Sequence, residues 1–420
     1  MVLSDPSPLL SVSSPINNIA LLHKDAASAG NAVVSTLSGQ KATTPSTPAA
    51  GTAGTAGTAG AAATTETSRR GKMRVSSSSS TTSSETETLS KDVPAVIIAV
   101  VLISHFQLKI PLAETFLYLQ NQDPLTGLYS KTWTDLNFIG FWIVVFTFLR
   151  AFVMTVVLKP FAIWAGVKKE HQQNRFQEEG WVCIYYSISW NLGMYVLRTS
   201  PVWNNWTFWF KPEALFEGYP HTHLPHVMMW YYYVQLAFWL QQIFVLHIEA
   251  PRKDFWALLA HHTVTLLLIS GSALSNFWRA GNVVFVVMDL ADIILAFSKS
   301  MKYLGVSNRI CDVFFGTFMV TWLYTRHYMY AYILHGFMFT AYEMIPFELD
   351  ISQGKWYCRE LAWLPTLGLA LLQILMVYWF ALILRILVKI LRGHSAEDDR
   401  SDDEADPEPV EFEEKKKAVK

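Results

Sequence analysis

Residues 255 to 298 read FWALLAHHTVTLLLISGSALSNFWRAGNVVFVVMDLADIILAFS. The two apolar segments in it, 255 to 273 and 281 to 298, are each close to the ~20 residues that cross about 30 Å of hydrocarbon. Yet they hold His261, His262, Asp289 and Asp292. An ionisable side chain inside a span costs about 2.5 to 3.5 kcal/mol on insertion scales, so each of the four needs a reason. The apolar runs decide the fold class, and the charges within them pose the functional question.

The rest of the chain agrees with a membrane protein. Of 420 residues 51% are hydrophobic and 14% aromatic, and they come in long runs rather than at amphipathic spacing. Eight segments are expected to span: 93 to 112, 136 to 158, 181 to 199, 226 to 248, 255 to 273, 281 to 298, 310 to 333 and 363 to 388. This is an all-α, polytopic fold of about eight transmembrane helices. The net charge of -1 hides segregation, because loops and tails hold most of the charge, so it says little about partners. Cys183, Cys311 and Cys358 are scattered, with no CxxC spacing and an odd count, which implies neither a disulfide framework nor a zinc ribbon.

Orientation follows from the short loops. The loops 159 to 180, 249 to 254 and 299 to 309 hold Lys159, Lys168, Lys169, Arg175, Arg252, Lys253, Lys299, Lys302 and Arg309. The opposite loops and span ends are longer in total but hold only Lys109, Lys131, Arg198, Lys211, Arg279, Lys355 and Arg359. The positive-inside rule places the first set, and with it both termini, in the cytosol. The sequon Asn205-Trp206-Thr207 then falls on the lumenal side, as a glycosylation acceptor must. No basic region followed by an apolar core opens the chain, so a cleavable signal peptide is not expected and targeting falls to a later span.

Four regions result. Residues 1 to 92 are rich in Ser, Thr, Ala and Gly, with GTAGTAGTAG at 51 to 60 and a serine run at 76 to 80, and are expected to be a disordered cytosolic tail. Its cluster Arg69, Arg70, Lys72 and Arg74 suits either anionic lipid or plain solvation. Residues 93 to 135 give the first helix and a lumenal loop, 136 to 392 the main helical bundle, and 393 to 420 an acidic disordered tail. In that tail Ser395 and Ser401 each have an acidic residue three positions on, which suits an acid-directed kinase as well as it suits a solubilising tail.

The charged residues within the spans converge. His261 and His262 lie six and seven residues beyond Phe255, about 10 Å below the cytosolic surface, with Thr265 extending a polar stripe. Asp289 and Asp292, at i and i+3, share one helix face with Asn282, and Asp292 lies seven residues, again about 10 Å, from Lys299. A carboxylate can fix a histidine's tautomer and favour its charged form while desolvation opposes it, leaving the ring poised for proton or acyl transfer. The two histidines diverge by about 100° and so have different jobs. The plainer alternative is a set of buried polar groups that tie two helices together. A metal centre is disfavoured: there is one His-His pair, and His221, His223 and His226 in PHTHLPH fall on the opposite side. Arg326 and His327, and the pair Trp190-Asn191 that interrupts the third segment, either line a lipid pocket or join helices. The aromatic run Trp230 to Tyr233 reads as core or interfacial belt.

The stretch 251 to 305 resembles the signature region of the ceramide synthases of the TLC superfamily. Carrying it are RKDF at Arg252 to Phe255, the pair His261-His262, MD-x-x-D at Met288 to Asp292 and SK-x-x-x-YL at Ser298 to Leu304. Similarity to the fungal longevity-assurance members adds AFWLQQ at Ala237 to Gln242, Arg326-His327, ILRIL from Ile383 and the acidic tail, over roughly 93 to 405. The resemblance implies a TLC-type bundle in the endoplasmic reticulum that N-acylates a sphingoid base with fatty acyl-CoA. It implies that His261, His262, Asp289 and Asp292 are needed, and no cofactor, metal or nucleic acid. It implies as partners a small single-span accessory subunit and a homo- or hetero-dimer. Arg252, Lys253, Lys299 and Lys302 fringe the expected entrance, where they attract the CoA phosphates or simply obey the positive-inside rule. A histidine acts either as general base toward the amine or as a nucleophile that carries the acyl group. The competing classes are a non-enzymatic TLC lipid sensor or chaperone and a metal-dependent lipid hydroxylase.

Overall fold

The computed structural model describes residues 79 to 199, 211 to 248 and 254 to 392, all within one unit, Arg74–Lys420. Asn205, Arg252, Lys253, Ser395, Ser401 and the tails before 79 and after 392 lie outside the described residues. The described chain is helical apart from its connecting loops, one short hairpin and the isolated bridges Gln122–Tyr129 and Tyr129–Leu224. The helices are α1 (Ser79–Phe106), α2 (Pro111–Leu117), α3 (Asp135–Trp164), α4 (Glu170–Thr199), α5 (Glu213–Phe216) and α6 (His226–Ile248). They continue with α7 (Phe255–Leu274), α8 (Trp278–Tyr303), α9 (308 to 344) and α10 (Trp363–Leu391). In hydrocarbon a backbone must satisfy its own polar groups, and long helices do so within one segment.

Among the described residues four helices are long and apolar enough to cross a membrane: α3, α7, α8 and α10. The protein is therefore an all-α, multi-pass membrane protein. The other four expected segments are helical too, but each is diluted or divided. Helix α1 starts at Ser79, well before the expected 93, in a Ser/Thr/Glu run, and α4 starts at Glu170 in a charged stretch. Helix α6 carries Gln235, Gln241 and Gln242 among its aromatics. Helix α9 is broken into short pieces by π-helical turns at Leu323–Met329 and Gly336–Thr340. The first expected segment also ends early: the helix stops at Phe106, Lys109 turns left-handed (φ 50°), and Pro111 then holds Ile110 extended (φ -74°, ψ 118°).

Packing neighbours run α3, α6, α7, α10, α9, α8, α4 and back to α3, with α8 lying along α4. That last contact depends on Gly193, where a Cβ would come within 2.6 Å of the Tyr231 hydroxyl and 2.7 Å of Val286. One apolar core joins α8, α9 and α10 through Phe318, Tyr330 and Met376, and a second joins α3, α4 and α6 through Phe138, Tyr185 and Phe238. Tyr231, Tyr232 and Tyr233 are core residues, none more than 6% exposed.

Contacts between loops sort onto two ends. At the end rich in Lys and Arg, Lys299 pairs with Glu179 (3.0 Å) and Arg175 with Glu178 (2.9 Å). At the opposite end a hairpin, β1 (Glu348–Asp350) with β2 (Lys355–Tyr357), closes over the helix ends. The Asp350 carboxylate accepts from the Ser352 and Gln353 amides to make its turn. Asn276 donates to the Gly354 carbonyl (2.7 Å), Arg279 to that of Glu217 (2.6 Å), and Lys131 to the last carbonyls of α7.

Candidate active site

His261 and His262 are neighbours on α7, their ring centres 5.6 Å apart and their planes 83° apart. The expected divergence is there, and it gives the rings different surroundings. The Nδ1 atom of His262 donates to the Leu258 carbonyl one turn back (2.8 Å). A carbonyl only accepts, so Nδ1 carries a proton. His261 has no such bond: its Nδ1 is buried without a hydrogen-bond partner, and the ring packs edge-on against Trp239 (5.7 Å) and Trp379 (5.3 Å).

The carboxylates are occupied differently from the sequence expectation, in which one of them fixes a histidine tautomer. Ser189 on α4 donates to Asp289 (2.6 Å), and Gln235 on α6 bonds Ser189 in turn. Gln235 also accepts from the Tyr185 hydroxyl (2.7 Å) and donates to that of Tyr231 (2.9 Å), so a buried polar network from three helices holds Asp289. Asp292 pairs with Arg326 (2.7 Å), whose guanidinium also donates to the Met288 carbonyl (3.0 Å) and lies 4.1 Å over the Trp322 ring. The tautomer of His262 is set by its own helix because that carbonyl is one turn away.

Two cavities meet at these residues. One, of about 240 Å³, opens at the basic end and is lined by Arg150, Glu178, Glu179, Lys299 and both histidines. The other, of about 520 Å³, is an apolar slot between α7, α8 and α10, lined by Thr265, Leu268, Phe285, Leu364 and Gly368 and ending against Trp356 and Tyr357 of the hairpin. Trp239, His261, Asp292 and Arg326 line both, whereas His262 lines only the first and Asp289 only the second. A polar mouth, a junction of imidazole, carboxylate and guanidinium, and a hydrocarbon-sized slot follow one another.

Not every residue singled out in the sequence belongs here. Helix α4 runs through Trp190-Asn191 without interruption: Asn191 is exposed and donates to the Ser187 carbonyl (2.8 Å), while Trp190 packs against the core. Neither lines either of these two cavities, because α4 turns Ser189 inward and Asn191 outward. His327 lies against α10, bonded to Gln373 (3.0 Å), so of the pair only Arg326 enters the junction. Lys302 is exposed at the end of α8 and lines neither cavity. Lys299 lines the mouth but is joined there by Glu178 and Glu179, so the mouth is of mixed charge rather than uniformly basic. His221 is turned to the Glu217 carbonyl (3.0 Å) and His223 to Thr222 (3.0 Å), and among the described residues no three His, Cys, Asp or Glu side chains group as a metal site.

Sequence reasoning passed over Ser189, Gln235, Trp379 and Arg150, and met Trp239 only within the AFWLQQ motif. Only Arg150, a cation within an apolar segment, carried a signal that could have been followed.

Comparison with known proteins puts this geometry in context. A model of the TLC domain matches residues 175 to 385. The chain is 40% identical over 299 residues to a sphingosine N-acyltransferase of Schizosaccharomyces pombe, covering 71% of this chain and 75% of that protein. It is 34% identical over 346 residues to a ceramide synthase of Gibberella moniliformis, covering 74% and 78%. With a ceramide synthase of Saccharomyces cerevisiae the identity is 35% over 294 residues, covering 69% of each. Its helices, its histidine and aspartate pairs and these relatives agree: the chain belongs to the ceramide synthase family of TLC-domain proteins.

Proposed function

We propose that the chain is a ceramide synthase of the endoplasmic reticulum membrane, joining a fatty acyl group from acyl-CoA to the amine of a sphingoid base, with its basic end and both termini in the cytosol. The observation that carries this is the meeting of a polar mouth and an apolar slot at His261, Asp292 and Arg326. Such a pair of cavities suits a substrate with a charged, water-soluble head and a long hydrocarbon tail, its reactive carbonyl at the boundary.

The reaction proceeds by transfer through His261. A neutral imidazole nitrogen of His261 attacks the thioester carbonyl, the carbon–sulfur bond breaks and CoA leaves as thiolate, giving an acyl-imidazole. The sphingoid amine attacks that carbonyl, the carbon–nitrogen bond to His261 breaks, and the amide forms. His262, which lines the mouth, takes the proton from the amine and delivers it to the thiolate. Arg326 offsets negative charge that develops on the carbonyl oxygen, while Asp292 keeps the guanidinium in place.

Purified protein, with any required partner present, is expected to form ceramide from acyl-CoA and sphingoid base. Failure to do so while binding lipid normally would leave the non-enzymatic reading standing. Incubation with acyl-CoA alone, followed by mass spectrometry, is expected to find one acyl group on the peptide holding His261. If acylation and CoA release strictly need both substrates, histidine acts only as a base.

A further inference from the structure

His262 is held by a hydrogen bond, but His261 is not. Its Nδ1 has no partner, and the torsion that turns an imidazole about its Cβ–Cγ bond is a broad, soft one. A group that must attack a carbonyl along one direction needs that torsion fixed. What remains to fix it is packing, against the His262 ring at 5.6 Å and against two indoles: Trp239 stands on the ring at 5.7 Å and Trp379 at 5.3 Å, inclined by 67° and 77°.

Trp379 is itself tethered. It is 5% exposed, and its indole Nε1 donates to the Oδ2 atom of Asp254 (3.2 Å), a carboxylate only 8% exposed. Asp254 is the N-cap of α7, where a negative charge is favoured by the helix dipole. It precedes His261 by seven residues, two helical turns, so the two lie on the same side of α7. The indole on α10 bridges those two turns, touching Asp254 at one end and His261 at the other.

We infer that Asp254 and Trp379 are positioning residues, in which the Asp254–Trp379 hydrogen bond locks the indole that sets the angle of the His261 ring. The inference rests on His261 as acyl acceptor, and neither residue touches the reacting atoms. Both line the polar mouth, so a direct role in holding the CoA group is the rival that the experiment must separate.

The experiment uses the full chain, with any partner it requires, and four variants. Trp379→Phe keeps an aromatic ring but lacks the N–H; Asp254→Ala removes the acceptor; Asp254→Asn keeps an acceptor oxygen; the double variant combines the first two. Expected are a fall in kcat of about tenfold in Trp379→Phe and in Asp254→Ala with KM for acyl-CoA unchanged, and near wild-type kcat in Asp254→Asn. The double variant is expected to be no slower than the slower single, because both changes break one bond. An unchanged kcat in Trp379→Phe, a raised KM with kcat kept, or a double variant that falls by the product of the two singles overturns the inference. A wild-type chain that forms no ceramide defeats the functional reading and the clamp with it. An active wild-type chain with an indifferent Trp379→Phe defeats the clamp alone.

Discussion

Replacing Arg326 by methionine tests whether the junction is held by an ion pair. Arg326 is 4% exposed, and its guanidinium bonds Asp292 at 2.7 Å. Removing one partner of a buried pair costs about 3 to 5 kcal/mol, because the other charge is stranded. The Asp292 side chain retains 28% exposure, toward the cavities, so the lower end applies, about 3 kcal/mol. The cation–π contact with Trp322, 4.1 Å away, is partly replaced by a methionine sulfur–ring contact and adds little. If the penalty is the stranded charge, adding Asp292→Asn should return about 2 kcal/mol of it. The assay is reversible unfolding in mixed micelles, read for wild type, both single variants and the double variant, with ceramide formation measured beside it. Stability is expected to recover in the double variant while activity stays down at least about tenfold. A double variant as unstable as the sum of its parts would refute the argument.

Three further perturbations separate the other parts of the site. In Gly368→Leu the new Cβ meets Leu268 at 2.7 Å across the slot, seven residues or about 10 Å beyond His261. Activity with stearoyl-CoA should fall at least about tenfold more than with octanoyl-CoA, whose extended chain is about 10 Å long, and an equal loss for both would count against the slot as the acyl site. Ser189→Ala removes the 2.6 Å bond to Asp289 and should cost about 1 to 3 kcal/mol in the same unfolding assay, together with lower ceramide formation; no change in either would show Asp289 to be held by other groups. Burial lowers the pKa of Lys131, which caps α7 at the end away from the histidines, from 10.5 to about 8. The unfolded chain then binds more protons between those values, so wild-type stability should rise from about pH 8 toward pH 10.5 relative to Lys131→Met, and parallel pH profiles would exclude the effect.

Relative level along the helices was legible in the sequence, and direction around each helix was not. Counting at about 1.5 Å per residue put His262 and Asp292 at one depth, and both do line one cavity. The count works because a helix in hydrocarbon has a fixed rise and charged residues at its ends mark the surface. Which way a side chain points is fragile by comparison, since one extra residue in a turn rotates all that follows by about 100°. Arg326 and His327 lie in such a turn, the π-helical Leu323–Met329, and nothing in WLYTRHYMY says that the arginine faces Asp292 and the histidine faces Gln373. Ser189 was hidden for a related reason: its partner Asp289 lies 100 residues away on another helix, and a lone serine in a span costs too little to demand an explanation. The residues that sequence reasoning finds are those whose burial is expensive, which is why it reached the two histidines, the two aspartates and Arg326. The tryptophans that orient His261 are inexpensive anywhere in a membrane span, so their role exists only in the angle at which the helices bring them together.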